Sequence, residues 1–272
     1  TFRIEAADWI DTGNTRFTSI GTTGTNYEFY AGSSLGGAAQ ATADIIQGAQ
    51  NIETGGGHVI FDAADDISIN DPMLTSGGAV TLIARGGDAG STLTFGAFGT
   101  TTDDHIDTTD GAGNAGIVSI QADSLVFTAL ADPIIEANGI GGTVSITSVT
   151  PGRQTDLGTD TSGRLSLTDA MLDRISAETL RVGDAASGDI TISAAISVAS
   201  VDILSLVTGG AIVDANASDP DITVGSLAVQ AATSDSLETS VSSLAFYISG
   251  GSFTVSNTGA LTIAAVDGVA IS

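Results

Sequence analysis

The sequence predicts an all-β chain wound into a parallel β-helix solenoid with coils of about 22 residues, and three observations predict it. The composition is rich in glycine, with 35 residues, yet holds proline to 4 and aromatics to 5%, a mixture that favours strands joined by tight corners. An apolar–Ser/Thr–apolar phrase recurs along most of the chain, and it recurs at a nearly steady interval. The hydrophobic share of 42% supplies the apolar surface that a disordered chain lacks, and 272 residues are enough to bury a continuous core.

Residues 1–55 stand apart as an atypical N-terminal or capping region. They hold Phe2, Trp9, Phe17, Tyr27, Phe29 and Tyr30, six of the 13 aromatics, and little of the strand phrase. The stretch from Ala38 to Gly48, rich in Ala and Gln around Ile45 and Ile46, reads as a short helix. The Thr/Gly-rich segment before it reads as irregular coil or a side sheet.

Residues 56–272 carry the repeat. The phrase appears as Val80-Thr81-Leu82, Val118-Ser119-Ile120, Val144-Ser145-Ile146, Leu165-Ser166-Leu167, Ile190-Thr191-Ile192, Leu204-Ser205-Leu206, Phe253-Thr254-Val255 and Leu261-Thr262-Ile263. Period-two alternation places the aliphatics on a buried face and the hydroxyls outside. Glycines introduce many of these strands: Gly56-Gly57, Gly77-Gly78, Gly116, Gly141-Gly142, Gly163 and Gly188. From Val59 to Val80 is 21 residues and from Val80 to Val118 is 38, read as two units of 19; the next intervals, to Val144, Leu165 and Ile190, are 26, 21 and 25. Secondary strands at Ile67–Ile69, Leu93–Phe95, Leu125–Phe127, Leu180–Val182 and Leu227–Val229 give each coil two or three short strands. Stacked about 4.8 Å apart, roughly ten such coils make a rod of order 50 Å. A β-sandwich also uses short strands, but it lacks a steady repeat and its hairpins favour Asn-Gly or Asp-Gly turns; the Asp110-Gly111 pair sits in a longer loop.

Charge narrows the function. The net charge is −25, and all seven basic residues are arginine. Such a surface repels phosphate backbones and anionic lipid heads, so neither nucleic-acid binding nor membrane insertion is expected. There is no cysteine, which removes disulfides and thiolate metal sites. No run of 18 apolar residues occurs, and the start Thr1-Phe2-Arg3-Ile4-Glu5 lacks a signal-peptide pattern, so the chain reads as an excised mature fragment.

Three segments carry a resemblance: Asp66-Ile67-Ser68-Ile69-Asn70-Asp71-Pro72 with Gly77-Gly78-Ala79-Val80-Thr81-Leu82; Ile106-Asp107-Thr108-Thr109-Asp110-Gly111; and Leu180-Arg181-Val182-Gly183-Asp184 with Gly188-Asp189-Ile190-Thr191-Ile192-Ser193. Together with the ending Gly259-Ala260-Leu261-Thr262-Ile263, they resemble filamentous-haemagglutinin-type exoproteins and related giant bacterial adhesins over about residues 50 to 272. The resemblance implies secretion to the extracellular space or cell surface and a right-handed parallel β-helix serving as adhesin shaft or filament. It confers no catalytic residues. The partners expected on this reading are flanking copies or domains of the same protein, a homo-oligomer or filament, and a host or cell-surface glycan or receptor.

The acidic residues are the remaining site candidates. Asp103, Asp104, Asp107 and Asp110 surround His105, and calcium takes such oxygen ligands. The EF-hand spacing fails, because Ile106 and Thr108 stand where carboxylates belong, and the nonapeptide calcium repeat is missing. A solvated loop without cofactor is therefore expected. A second group, Asp214, Asn216, Ser218, Asp219 and Asp221, lacks the glycine of a calcium loop; Asn216-Ala217-Ser218 matches a glycosylation acceptor. Asp62, Asp65 and Asp66 read as turn caps. His58 and His105 are far apart, and no Gly-x-Ser-x-Gly elbow nominates a nucleophile. Lyases of β-helix fold need a base and cations that neutralise a uronate, which a chain without lysine supplies poorly. Two-carboxylate hydrolysis is the enzymatic alternative, and a glycan-binding module the other; the regular Thr-x-Thr ladders of an ice-binding surface are missing.

Overall fold

The computed structural model of the protein describes residues 1–13, 15–18, 24–32, 42–48, 50–86, 90–96, 105–128, 133–217 and 220–270. Among them the chain is all-β, with parallel pairing between every named strand pair and a single four-residue helix, Asp169–Leu172. Thr168 caps that helix by accepting the Met171 amide.

The main body is a curled parallel sheet of sixteen strands. Eleven of them lie side by side: Phe2–Ala6, Tyr27–Ala31, Val59–Ala63, Val80–Ala84, Ile117–Gln121, Thr143–Thr147, Ile175–Val182, Val201–Val207, Ser226–Ala231, Ser243–Ile248 and Thr262–Ile263. The other five, Phe17–Thr18, Ile52–Glu53, Met73–Leu74, Ile106–Asp107 and Ile135–Ala137, form a second column. The two columns meet at Ile175–Val182, whose Ile175–Ala177 half pairs with Ile135–Ala137 while Thr179–Val182 pairs with Thr143–Ile146. A separate parallel sheet of five accompanies the N-terminal half: Ile10–Asp11, Ile45–Gln47, Ile67–Ile69, Thr92–Phe95 and Ser124–Phe127. Two further sheets flank the C-terminal half, one around Thr155–Gly158 and Ile190–Ile192 and one from Ile196–Ser197 to Val255–Asn257.

The register shows why the repeat forms. Val59, Val80, Val118, Val144, Leu180, Leu204, Leu227 and Leu244 are successive partners, and all are buried. Like side chains stack on like along the interior, and each fully buried aliphatic contributes about 1.5–3 kcal/mol. At the N-terminal end the same stacking runs through aromatics: Phe29 meets Phe17 and Phe61 edge-on, with centroids 5.3 and 4.9 Å apart.

A corner motif explains the glycines. Thr54 and Thr75 are fully buried and donate their hydroxyls to the carbonyls of Gly57 and Gly78, each at 2.6 Å; Thr108 donates likewise to Gly116 at 3.2 Å. Each of those glycines lies against the one before. A Cβ on Gly78 would sit 1.9 Å from the Gly57 carbonyl oxygen, and one on Gly116 would sit 2.2 Å from that of Gly78. Only a residue without a side chain permits backbones to stack this closely.

The structure corrects four expectations. Val80 pairs directly with Val118, so the 38-residue interval is one return with a long excursion and not two units of 19. Leu165 and Ile190 are buried, but they belong to the sheet around Thr155–Gly158, both facing Thr155; Leu180 follows Val144 instead. Ser166, Thr191 and Ser205 are buried although read as outward. The first two are covered by the 159–164 loop, where Ser166 Oγ accepts the Thr161 amide and Thr191 Oγ1 accepts Arg164 Nη1 at 2.8 Å. Finally, the stretch read as a helix holds a strand, Ile45–Gln47, and no helix among its described residues 42–48; residues 38–41 lie outside the described residues. The described strands before residue 56 pair in register with those after it.

Candidate cation site

Of the first acidic group, Asp103 and Asp104 lie outside the described residues. Asp107 and Asp110 are described, and their oxygens are turned to the backbone and side chains of the residues just after them. Asp107 accepts the Thr109 amide at 2.8 Å and its hydroxyl at 2.6 Å. Asp110 accepts Asn114 Nδ2 at 2.9 Å and the amides of Asn114 and Ala112, each at 2.8 Å. The Asn114 side chain foremost, and then those amides, hold the Asp110 carboxyl below its ordinary range. Both residues act as turn formers.

His105 is buried behind them. Its Nε2 lies 2.9 Å from the Gly96 carbonyl, which makes Nε2 the protonated nitrogen. Burial pulls its pKa below the usual value, outweighing the Gly96 carbonyl and the Asp71 charge. His58 instead sits 3.1 Å from Glu28 Oε1, so each histidine is engaged in its own neighbourhood. Asp66 caps a strand of the next return, its Oδ1 accepting the Thr92 amide at 2.7 Å, whereas Asp62 is held by Arg85 at 2.7 and 2.8 Å.

The second acidic group contains the cluster that the structure does assemble. Asp214, Asp221 and Glu238 each offer a carboxylate oxygen within 4.8 Å of the others. Asp221 is fully buried, accepting Asn216 Nδ2 at 3.1 Å and the Glu238 amide at 2.8 Å. Asp214 accepts the Asn216 amide at 2.9 Å. Ser218 and Asp219 lie outside the described residues. Asp214 and Asp221 stood in the expected group, but Glu238 did not, because it arrives from the following return: Ile222 pairs with Thr239, which sets Glu238 beside Asp221. Three hard oxygen donors suit a calcium-class cation and no soft metal. Asn216 and the Glu238 amide meanwhile supply donors that tie the cluster into the fold.

The arginines bear on every anionic ligand. Ion pairs hold Arg3 to Glu5 and Glu28, Arg16 to Glu53, Arg85 to Asp62, Arg153 to Asp123, Arg164 to Asp156 and Arg181 to Asp267. A depression of about 300 Å³ beside Tyr30 is flanked by Arg3 and Arg85. Arg3 lies over the Tyr30 ring, 4.3 Å from its centroid; both cations there are committed to carboxylates.

No protein-family model, curated protein or solved structure matches the chain. The class is therefore set by the architecture: an all-β protein of parallel strands in a curled sheet. None of its described helices is long and apolar enough to cross a membrane.

Proposed function

We propose that the chain is a right-handed parallel β-helix and serves as a stiff, non-catalytic shaft segment of a large secreted or surface-anchored bacterial protein of the filamentous-haemagglutinin type, stacking end to end with flanking copies or domains. The observation that carries this reading is the in-register column from Val59 to Leu244. A stack of parallel strands joined by returns of one hand is long, resists bending, and presents an unpaired strand edge at each end. The acidic coat discourages sideways clumping, and paired arginines leave little to neutralise a uronate.

Hydrolysis is the second reading, and one feature favours it. Asp107 and Glu136 are register partners on adjacent strands, and burial foremost, with the Asp107 charge adding to it, raises the Glu136 carboxyl above its ordinary value against hydrogen bonds from Asn138 and Ser176. Two carboxylates on neighbouring strands, one of them with a raised pKa, are the kind of pair that glycoside hydrolysis uses. The separating experiment incubates the purified chain and its Glu136→Gln variant with a panel of neutral and acidic polysaccharides, reading reducing ends. The shaft reading expects no product from either. Product from the parent chain that Glu136→Gln abolishes would replace it with the hydrolase.

A further inference from the structure

After the last described strand, Thr262–Ile263, the Ala264 amide makes one more bond to the sheet, to the Leu244 carbonyl at 3.1 Å, and the segment beyond it does not extend the sheet. Residues 264–270 turn back and lie across its outer face. Val266 and Val269 bond each other's backbone, amide to carbonyl at 3.3 Å and 2.9 Å. Between them Asp267 and Gly268 both take left-handed φ, 48° and 75°, the signature of a two-residue type I′ turn.

What this hairpin lies on is unusual for the sheet. Arg181, Ser205, Ala228 and Ala245 are successive register partners along one outward column, running at right angles to the strands. Ala228 and Ala245 are wholly buried on that outer side, and with Val266 and Val269 they form an apolar cluster of their own, separate from the main core. At the far end of the column Arg181, 86 residues earlier, donates to Asp267 through two of its guanidinium nitrogens, Nε at 2.7 Å and Nη2. The Asp267 side chain is nearly buried while that of Arg181 is 44% exposed, so the strength of the pair rests on its two-point geometry.

We propose that residues 264–270 are a clasp that holds together the last described strands of the stack, with Arg181–Asp267 as its latch and the Ala228–Ala245 strip as its seat. A stack of parallel strands can fray from its last member, since each strand rests only on its neighbours. The clasp bridges from the last strand to Arg181, so the strands between are held at both ends of the column and open together. Small side chains at Ala228 and Ala245 make the room; a larger residue at either would lift the valines away.

Amide hydrogen exchange on the full chain tests this. Asp267→Asn keeps the shape and removes the charge, while Ala245→Leu fills the seat and leaves the latch pair unchanged. Each variant is expected to speed exchange about tenfold or more in Ser226–Ala231 and Ser243–Ile248, with Val59–Ala63 and Val80–Ala84 unchanged. The exchanged pair Arg181→Asp with Asp267→Arg is expected to restore protection. Unchanged exchange in the two C-terminal strands, acceleration spread evenly along the chain, or no restoration by the exchanged pair would each overturn the clasp.

Discussion

His105 shows how one side chain ties pH to the fold. Burial disfavours its imidazolium and lowers its pKa in the folded chain, whereas in the unfolded chain it titrates near its usual value of about 6.5. Above that pH the two states bind the same number of protons. As pH falls through about 6.5 the unfolded chain takes up a proton that the folded one refuses, so the contribution to stability is lost progressively down to the lowered folded pKa. The comparison that isolates this is the melting temperature of the parent chain and of His105→Phe, which keeps an aromatic beside Phe95, between pH 7 and pH 5. The parent is expected to lose more than the variant; identical slopes would mean that His105 is not buried. Neither its burial nor its Gly96 partner was legible in the sequence, where a histidine among aspartates reads as a solvated loop.

At the scale of the element, the glycine corner makes the sharpest claim. A Cβ at Gly78 meets the Gly57 carbonyl oxygen, whereas nothing lies within 4 Å of one at Gly111. Gly78→Ala is expected to lower stability by about 1–3 kcal/mol or more, through forced separation of two stacked backbones. Gly111→Ala is expected to stay within about 0.5 kcal/mol of the parent. Urea unfolding of both measures the difference, and equal midpoints would refute the stacked corner. These elements were the most readable part of the chain: glycine before an apolar alternation marked Val59–Ala63, Val80–Ala84, Ile117–Gln121 and Thr143–Thr147 correctly as strands. The alternation misled at Ser166 and Thr191 because the 159–164 loop covers their outer side, and at Ser205 because it lies in the column that the 264–270 segment reaches across. Asp267-Gly268 carried a turn signal as clear as that of Asp110-Gly111, and its left-handed pair of residues is where the hairpin forms. The Asp214–Asp221–Glu238 cluster was half legible, since a partner supplied by the next return is visible only once the register is known.

For the whole molecule the central claim is that strands distant in sequence stack one on the next in a single parallel register. A repeat period alone did not fix this. Returns range from 17 residues, Leu227 to Leu244, to 38, Val80 to Val118, because loops of any length are tolerated where the chain leaves the stack, at modest entropic cost. Long excursions inflate the interval without adding a strand, which is why 38 residues read as two units. The absence of cysteine permits a direct distance measurement, with spin labels on cysteines introduced at Arg3 and Ser145. Their partners run Arg3, Glu28, Ile60, Thr81, Ser119 and Ser145 along one outward column. Five steps between adjacent strands predict a single narrow distribution centred near about 24 Å, before allowance for the label arms. A broad distribution, or one centred beyond about twice that distance, would contradict the parallel stack.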